Sequence, residues 1–258
     1  MTQEQEKTIE LLVKEAKKDK NIIGVILIGS LAKNTSTKNS DVDVLVIVND
    51  IEFEKRKKQK NYFLGTNFEP SMFPVEIEGK IINKDYLKRI WKDGNECVKN
   101  TFSKIKILYS YDKEIDELLE NMDTKNIEKE ENIKKFYALM KSYRFKSNDD
   151  LTNIIQIKHG IFSTVYFACR LVLEHNDIYY PCIKNIEKEL VNCIKKPNNF
   201  IKNIHRVLET YSLEEMEIFY NETEEYFKEY RFDDRIRKGY VIENEEYWFF
   251  DVRPYSEI

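Results

Sequence analysis

The sequence predicts an α/β (α+β) fold in which a small mixed sheet flanked by helices is followed by a helical bundle. Three observations predict it. Two short runs rich in β-branched residues, Ile22 to Ile28 and Val42 to Val48, lie within the first fifty positions. From about Asp112 onward the chain is helical text with few breakers. Of 258 residues only 7 are Gly and 5 are Pro, while 34% are charged, a balance that suits a helix-rich surface better than a turn-rich β-sandwich.

Each element has its own reason. Ile9, Leu12, Val13 and Ala16 recur at spacings of three and four, the period of an amphipathic helix over residues 3 to 18. Asn21 breaks that pattern, and the run IIGVILI reads as a strand buried on both faces. Gly29 and Ser30 end it, and the small polar residues Leu31 to Ser40 suit a short helical turn followed by a loop. A second buried strand follows at Val42 to Val48, with Asp41 and Asp43 at its beginning. Residues 52 to 60, EFEKRKKQK, read as a solvated helix face or as a phosphate-contacting patch. Between Phe68 and Ile82, two prolines precede an alternation of Val75 and Ile77 with Glu76 and Glu78, a strand with its acidic residues on one side. Tyr86 to Trp91 begins a helix, and Lys104 to Leu108 reads as a last strand.

Helices are then expected over 112–121, 126–146, 150–175, 183–195, 198–209 and 212–230, with the nearly all-apolar stretch Ile154 to Leu173 at the centre of a bundle. Tyr240 to Val252 returns to strand-like text. The change of text places one domain at residues 1–115 and a helical one at 116–258.

Hydrophobic residues make up 41% of the chain, enough for real cores. The formal net charge of -4 lacks the basic excess of a dedicated duplex binder, so nucleic acid is not an expected partner. The four cysteines (Cys97, Cys169, Cys182, Cys193) form no C-x-x-C pair, so reduced thiols are expected in place of a zinc site or disulfide framework. The N-terminal segment is a charged amphipathic helix and no stretch approaches a membrane span, so a cytoplasmic protein is expected.

The chemistry concentrates in one constellation. Gly29 lets the backbone turn sharply and admits a phosphate closely, because it has no Cβ. Ser30 stands where a helix begins, so its hydroxyl and nearby amides can hold phosphate oxygens. Ten residues later Asp41 and Asp43, two apart on a strand, project to the same face. Paired carboxylates repel and call for a cation, and magnesium is the natural one with phosphates as co-ligands. A third carboxylate, Glu76 or Glu78, would complete a site for two metal ions.

The segment Ile28-Gly29-Ser30, ten residues, then Asp41-Val42-Asp43-Val44 resembles the signature of the polymerase-β-like nucleotidyltransferase superfamily. Within it, the pairing with a helical second domain resembles kanamycin-type aminoglycoside nucleotidyltransferases and their bacterial relatives. The resemblance implies that Gly29 and Ser30 bind the triphosphate of an NTP, with ATP the expected nucleotide. It implies that Asp41, Asp43 and Glu76 are the catalytic metal ligands, Glu78 being the alternative to Glu76, and that two Mg2+ ions are used. It further implies transfer of a nucleoside monophosphate to a hydroxyl of a small acceptor, an aminoglycoside-like antibiotic among the candidates, with release of pyrophosphate. The general-base carboxylate that such enzymes carry in the helical domain has no match in FYALMKSYRF; Asp149 and Asp150 are the nearest acids by position.

Other residues carry bland and sharp readings side by side. His159 reads as a packed histidine before an acid-base group, and Arg144, Lys146 and Lys158 as solvated cations before triphosphate contacts. Tyr179 and Tyr180 read as buried aromatics before acceptor-stacking ones. Trp248, Phe249 and Phe250 would pack a terminal strand or, if exposed, mark a homodimer surface. Two other functions share the pattern: nucleotidyl transfer to a protein or RNA end, and non-catalytic nucleotide binding for regulation.

Overall fold

The computed structural model describes residues 1–64, 72–120, 128–149 and 152–252, and it divides into two compact units, Met1–Thr124 and Lys125–Ile258. In the first unit, α1 (Gln3–Ala16) leads into β1 (Ile22–Leu27), a single helical turn α2 (Gly29–Ala32) and β2 (Val42–Val48). Next come α3 (Asp50–Gln59), β3 (Ile77–Ile82), α4 (Lys84–Asp93), α5 (Glu96–Phe102), β4 (Lys106–Ser110) and α6 (Lys113–Glu120). The four strands form one mixed sheet in the order β3-β2-β1-β4. β1 is antiparallel to both of its neighbours, whereas β2 and β3 run parallel.

Alternation along the central strands builds two cores. Val25, Leu27, Val44, Val46 and Val48 pack on one face with Leu12 and Ala16 of α1. Ile26, Leu45, Ile47 and Ile82 pack on the other with Leu87, Ile90, Phe102 and Ile115 from α4, α5 and α6. Because both faces are covered, both strands read as continuous apolar runs. A slip of one residue would carry Asp43 into the core of the first face, so the register is strongly specified. The charged run is helical over residues 52–59, in α3, with Lys60 as its left-handed end and Asn49 capping its start by accepting the N–H of Glu52.

The second unit holds α7 (Lys129–Asp149), α8 (Ile154–His175), α9 (Ile186–Asn192), α10 (Phe200–Thr210), α11 (Leu213–Tyr226), α12 (Asp234–Glu245) and α13 (Tyr247–Phe250). α8 is its central element, with Ile161, Ala168, Leu171 and Val172 at zero exposure. α7 lies so close to it that a Cβ added at Gly160 would come within 2.8 Å of the backbone of Ser147.

The tail corrects a sequence expectation: residues 240–245 and 247–250 are helical, in α12 and α13, and form no strand. Asp233 caps α12 by accepting the N–H of Arg235, and Asp234 pairs with Arg237 and Lys238 one turn on. These local interactions override the β-propensity of the aromatic text. Trp248 and Phe249 are 70% and 69% exposed, the alternative to packing within a sheet. Among the described residues, no helix is long and apolar enough to cross a membrane. Residues 68–71 of the expected third strand lie outside the described residues, as do Asp150 and the side chain of Asp149.

Candidate active site

The end of β1 and the starts of β2 and β3 meet at one edge of the sheet. β1 stops at Leu27, and Gly29 turns the chain into α2 with φ +67°, a conformation open to glycine at little cost. The turn is locked to the next strand: the Ile28 N–H donates to the Asp43 carbonyl at 3.0 Å. A Cβ at Gly29 would lie 2.8 Å from Cγ of Asp43, so the missing side chain is what admits the Asp43 carboxylate against the turn. Lys33 N–H closes α2 onto the Gly29 carbonyl at 3.1 Å, and Thr35 N–H donates to that of Ser30 at 2.9 Å. Ser30 is half-buried at the start of α2.

Asp41 and Asp43 share the β2 face that carries Leu45 and Ile47 into the second core. Parallel pairing sets Asp43 against Glu78 and Val42 against Ile77, and the Val42 N–H donates to the Glu76 carbonyl at 2.9 Å. Carboxylate oxygens of Asp41, Asp43 and Glu78 all lie within 4.8 Å of one another. Glu76 is not part of this group. Of the two acids the sequence offers, Glu78 lies inside the β2–β3 ladder and Glu76 just ahead of it, because β3 begins at Ile77. Asp41 and Asp43 are half-buried and Glu78 is exposed.

Three lysines gather around the turn that follows α2, and the sequence did not single them out. Lys33, on the turn after α2, donates to the Asn100 side chain at 2.5 Å. From around β4, Lys104 reaches the Lys33 carbonyl and Lys106 the Asn34 side chain, each at 3.4 Å. The sequence signal for Lys33 was its place one turn after Gly29. Lys104 and Lys106 arrive only because β4 takes the edge next to β1. Three carboxylate donors beside a glycine turn suit a hard cation that shares its shell with phosphates.

The cations suggested in the helical unit have partners there. Arg144 is paired with Glu217 and stacks on Tyr220, Lys146 pairs with Glu245, and Lys158 lies over Tyr211. His159 is exposed and meets the ring of Tyr143 edge-on. Tyr179 and Tyr180 are buried, as the packing reading had it.

A glycine turn facing gathered carboxylates on a mixed sheet suits the handling of phosphate groups with a divalent cation. The family model for the nucleotidyltransferase domain matches residues 9–137, half of the chain, and the chain belongs to that family. No curated protein matches the sequence. Among solved structures, a nucleotidyltransferase-like protein from Exiguobacterium sibiricum is 11% identical, with 86% of this chain and 78% of that one covered at a TM-score of 0.41. A spectinomycin adenyltransferase from Enterococcus faecialis, solved with ATP and spectinomycin, is 17% identical, with 87% and 100% covered at a TM-score of 0.37.

Proposed function

We propose that this protein transfers a nucleoside monophosphate, with AMP from ATP foremost, to a hydroxyl of a small acceptor in a magnesium-dependent reaction that releases pyrophosphate. The observation that carries this reading is the gathering of Asp41, Asp43 and Glu78 beside the Gly29-Ser30 turn. In this reading Asp41, Asp43 and Glu78 hold magnesium, with Glu78 taking the role that the sequence assigned to Glu76. Magnesium bound there would neutralise phosphate charge and make the acceptor hydroxyl easier to deprotonate.

The chain's own groups do the rest. The amides that open α2 and the Ser30 hydroxyl hold β- and γ-phosphate oxygens, and the absent Cβ of Gly29 lets the phosphates approach. Lys33, Lys104 and Lys106 offset the triphosphate charge. The acceptor oxygen forms a bond to the α-phosphorus as the α–β bridging bond breaks, the acceptor proton passes to solvent, and pyrophosphate leaves. Positioning and charge compensation supply most of the acceleration.

An intact carboxylate set supports catalysis over a regulatory role that needs binding alone. A net charge of -4 supports a small acceptor, an aminoglycoside-like one included, over an RNA end. Four scattered cysteines with no C-x-x-C pair support a cytoplasmic setting, and the exposed Trp248 and Phe249 support a homodimer. Label transfer from α-phosphate-labelled ATP to a panel of aminoglycosides and other hydroxylated acceptors tests the proposal. Labelled acceptor that requires magnesium supports it; label that moves only onto protein or RNA overturns the small-acceptor assignment.

A further inference from the structure

Resting on the metal-dependent reading above, we propose that Gln5 and Thr8 of α1 are positioning residues that hold the metal-binding carboxylates in register. They lie three apart on one face of the helix, and both are at zero exposure. Polar side chains so deeply buried carry a penalty unless their hydrogen bonds are made. Where those bonds go is informative.

The Gln5 carboxamide is used at both ends. Its Oε1 accepts the Thr2 N–H at 2.8 Å, which closes a capping box at the start of α1. Its Nε2 donates to the carbonyls of Thr37 and Ser40 at 3.0 and 2.8 Å. Those two residues bound the turn that delivers Asp41: Ser40 N–H donates to the Thr37 carbonyl at 3.1 Å, and Thr37 N–H to Ser40 Oγ at 2.9 Å. One turn of helix further on, Thr8 Oγ1 accepts the Val75 N–H at 3.1 Å. Val75 introduces the segment of Glu76 and Glu78, which is joined to β2 through Val42 and Glu76.

One helical turn therefore fixes both backbone segments that bring carboxylates to the site. Further along, the same helix packs on the sheet through Leu12 and Ala16, which make no hydrogen bond to either segment. Three carboxylates within 4.8 Å repel one another when the cation is absent, and an external clamp opposes their spreading. Gln5 and Thr8 lie ahead of the stretch that the family model matches.

The test is titration of the full chain with Mn2+ alone, followed by manganese electron paramagnetic resonance. The variants are Gln5→Glu, Thr8→Val, Thr8→Ser, Leu12→Ala and Asp41→Asn/Asp43→Asn. Gln5→Glu keeps the capping acceptor but loses both donors, and Thr8→Val keeps the shape but loses the acceptor. Each is expected to weaken Mn2+ binding by about tenfold or more, the scale of an outer-shell partner, and Thr8→Ser to restore it. Leu12→Ala softens the same helix through packing alone and is expected to bind Mn2+ as the wild type does.

Wild-type affinity in both Gln5→Glu and Thr8→Val overturns the clamp, and so does an equal loss in Leu12→Ala. Should Gln5→Glu fail to fold, the contrast between Thr8→Val and Thr8→Ser decides. A wild type that does not bind Mn2+, or an Asp41→Asn/Asp43→Asn protein that binds it equally well, instead brings down the functional reading and the clamp with it.

Discussion

The carboxylate of Asp43 occupies the space that a side chain on Gly29 would need: a Cβ there would lie 2.8 Å from Asp43 Cγ and collide with Oδ2. The glycine thus serves two requirements, a φ of +67° and a carboxylate pressed against the turn. Gly29→Ala must rotate Asp43 away or distort α2, at a strain of about 1–3 kcal/mol. Turnover is expected to fall by tenfold or more, since each ~1.4 kcal/mol of lost transition-state stabilisation is a factor of ten. A melting curve run beside the assay separates this from unfolding; wild-type turnover in Gly29→Ala would remove the contact from the account.

Glu78 and Glu76 make a sharper comparison, because both are exposed acids two apart and differ in whether they reach the aspartates. Glu78→Gln is expected to lower turnover by about 10²–10³-fold, the scale of a lost electrostatic group at a reacting centre. Glu76→Gln should stay within a few-fold of wild type. Steady-state kinetics at varied magnesium checks both, and the reverse ranking would return the third-ligand role to Glu76.

How far the site was legible follows from where its information lies. Gly29, Ser30, Asp41 and Asp43 are local: their spacing and the apolar strands around them appear within twenty residues. The choice between Glu76 and Glu78 is not local. Alternation gives both the same face, and only the pairing of Val42 with Ile77 puts Glu78 inside the ladder. Gln5 and Thr8 were invisible for a related reason: polar residues in a charged helix read as solvent face, and their partners lie 32 to 67 residues away. Both strands of the apolar runs were legible because burial on two faces leaves continuous β-branched text. The tail was misread because Tyr240, Val241, Ile242 and Tyr247 to Phe250 carry β-propensity, which the Asp233 cap and the Asp234 ion pairs outweigh.

Acid should loosen the helical unit at Glu224. Arg231 holds this carboxyl below its ordinary value of 4.5, with the Tyr137 hydroxyl donating to it at 2.9 Å. A lowered carboxyl contributes stability that is full above 4.5 and is lost as pH falls through the depressed value. Glu224→Gln is expected to cost about 1 kcal/mol or less at neutral pH, since Arg231 is half exposed, and to flatten part of the acid limb. Urea denaturation on both sides of pH 4.5 reads this directly, and an unchanged acid limb would assign the pH dependence elsewhere.

Close packing of α7 on α8 gives a prediction independent of the chemistry. A side chain at Gly160 meets the backbone N and Cα of Ser147 at 2.8 Å, atoms that cannot move aside cheaply. Gly160→Val is expected to destabilise the helical unit by about 1–3 kcal/mol through overpacking. Mn2+ binding at Asp41, Asp43 and Glu78 is expected to persist in the folded variant. Equal melting temperatures for variant and wild type would contradict the close approach.

The most direct measurement is pyrophosphate release from ATP, GTP, CTP and UTP with magnesium across a panel of hydroxylated acceptors, with the wild type beside Asp41→Ala/Asp43→Ala. The expected result is acceptor-dependent release that disappears in the double variant and on chelation of the metal. Release that survives loss of both aspartates, or a wild type that neither binds nor turns over any of the four nucleotides, would contradict the assignment of nucleotidyl transfer to this site.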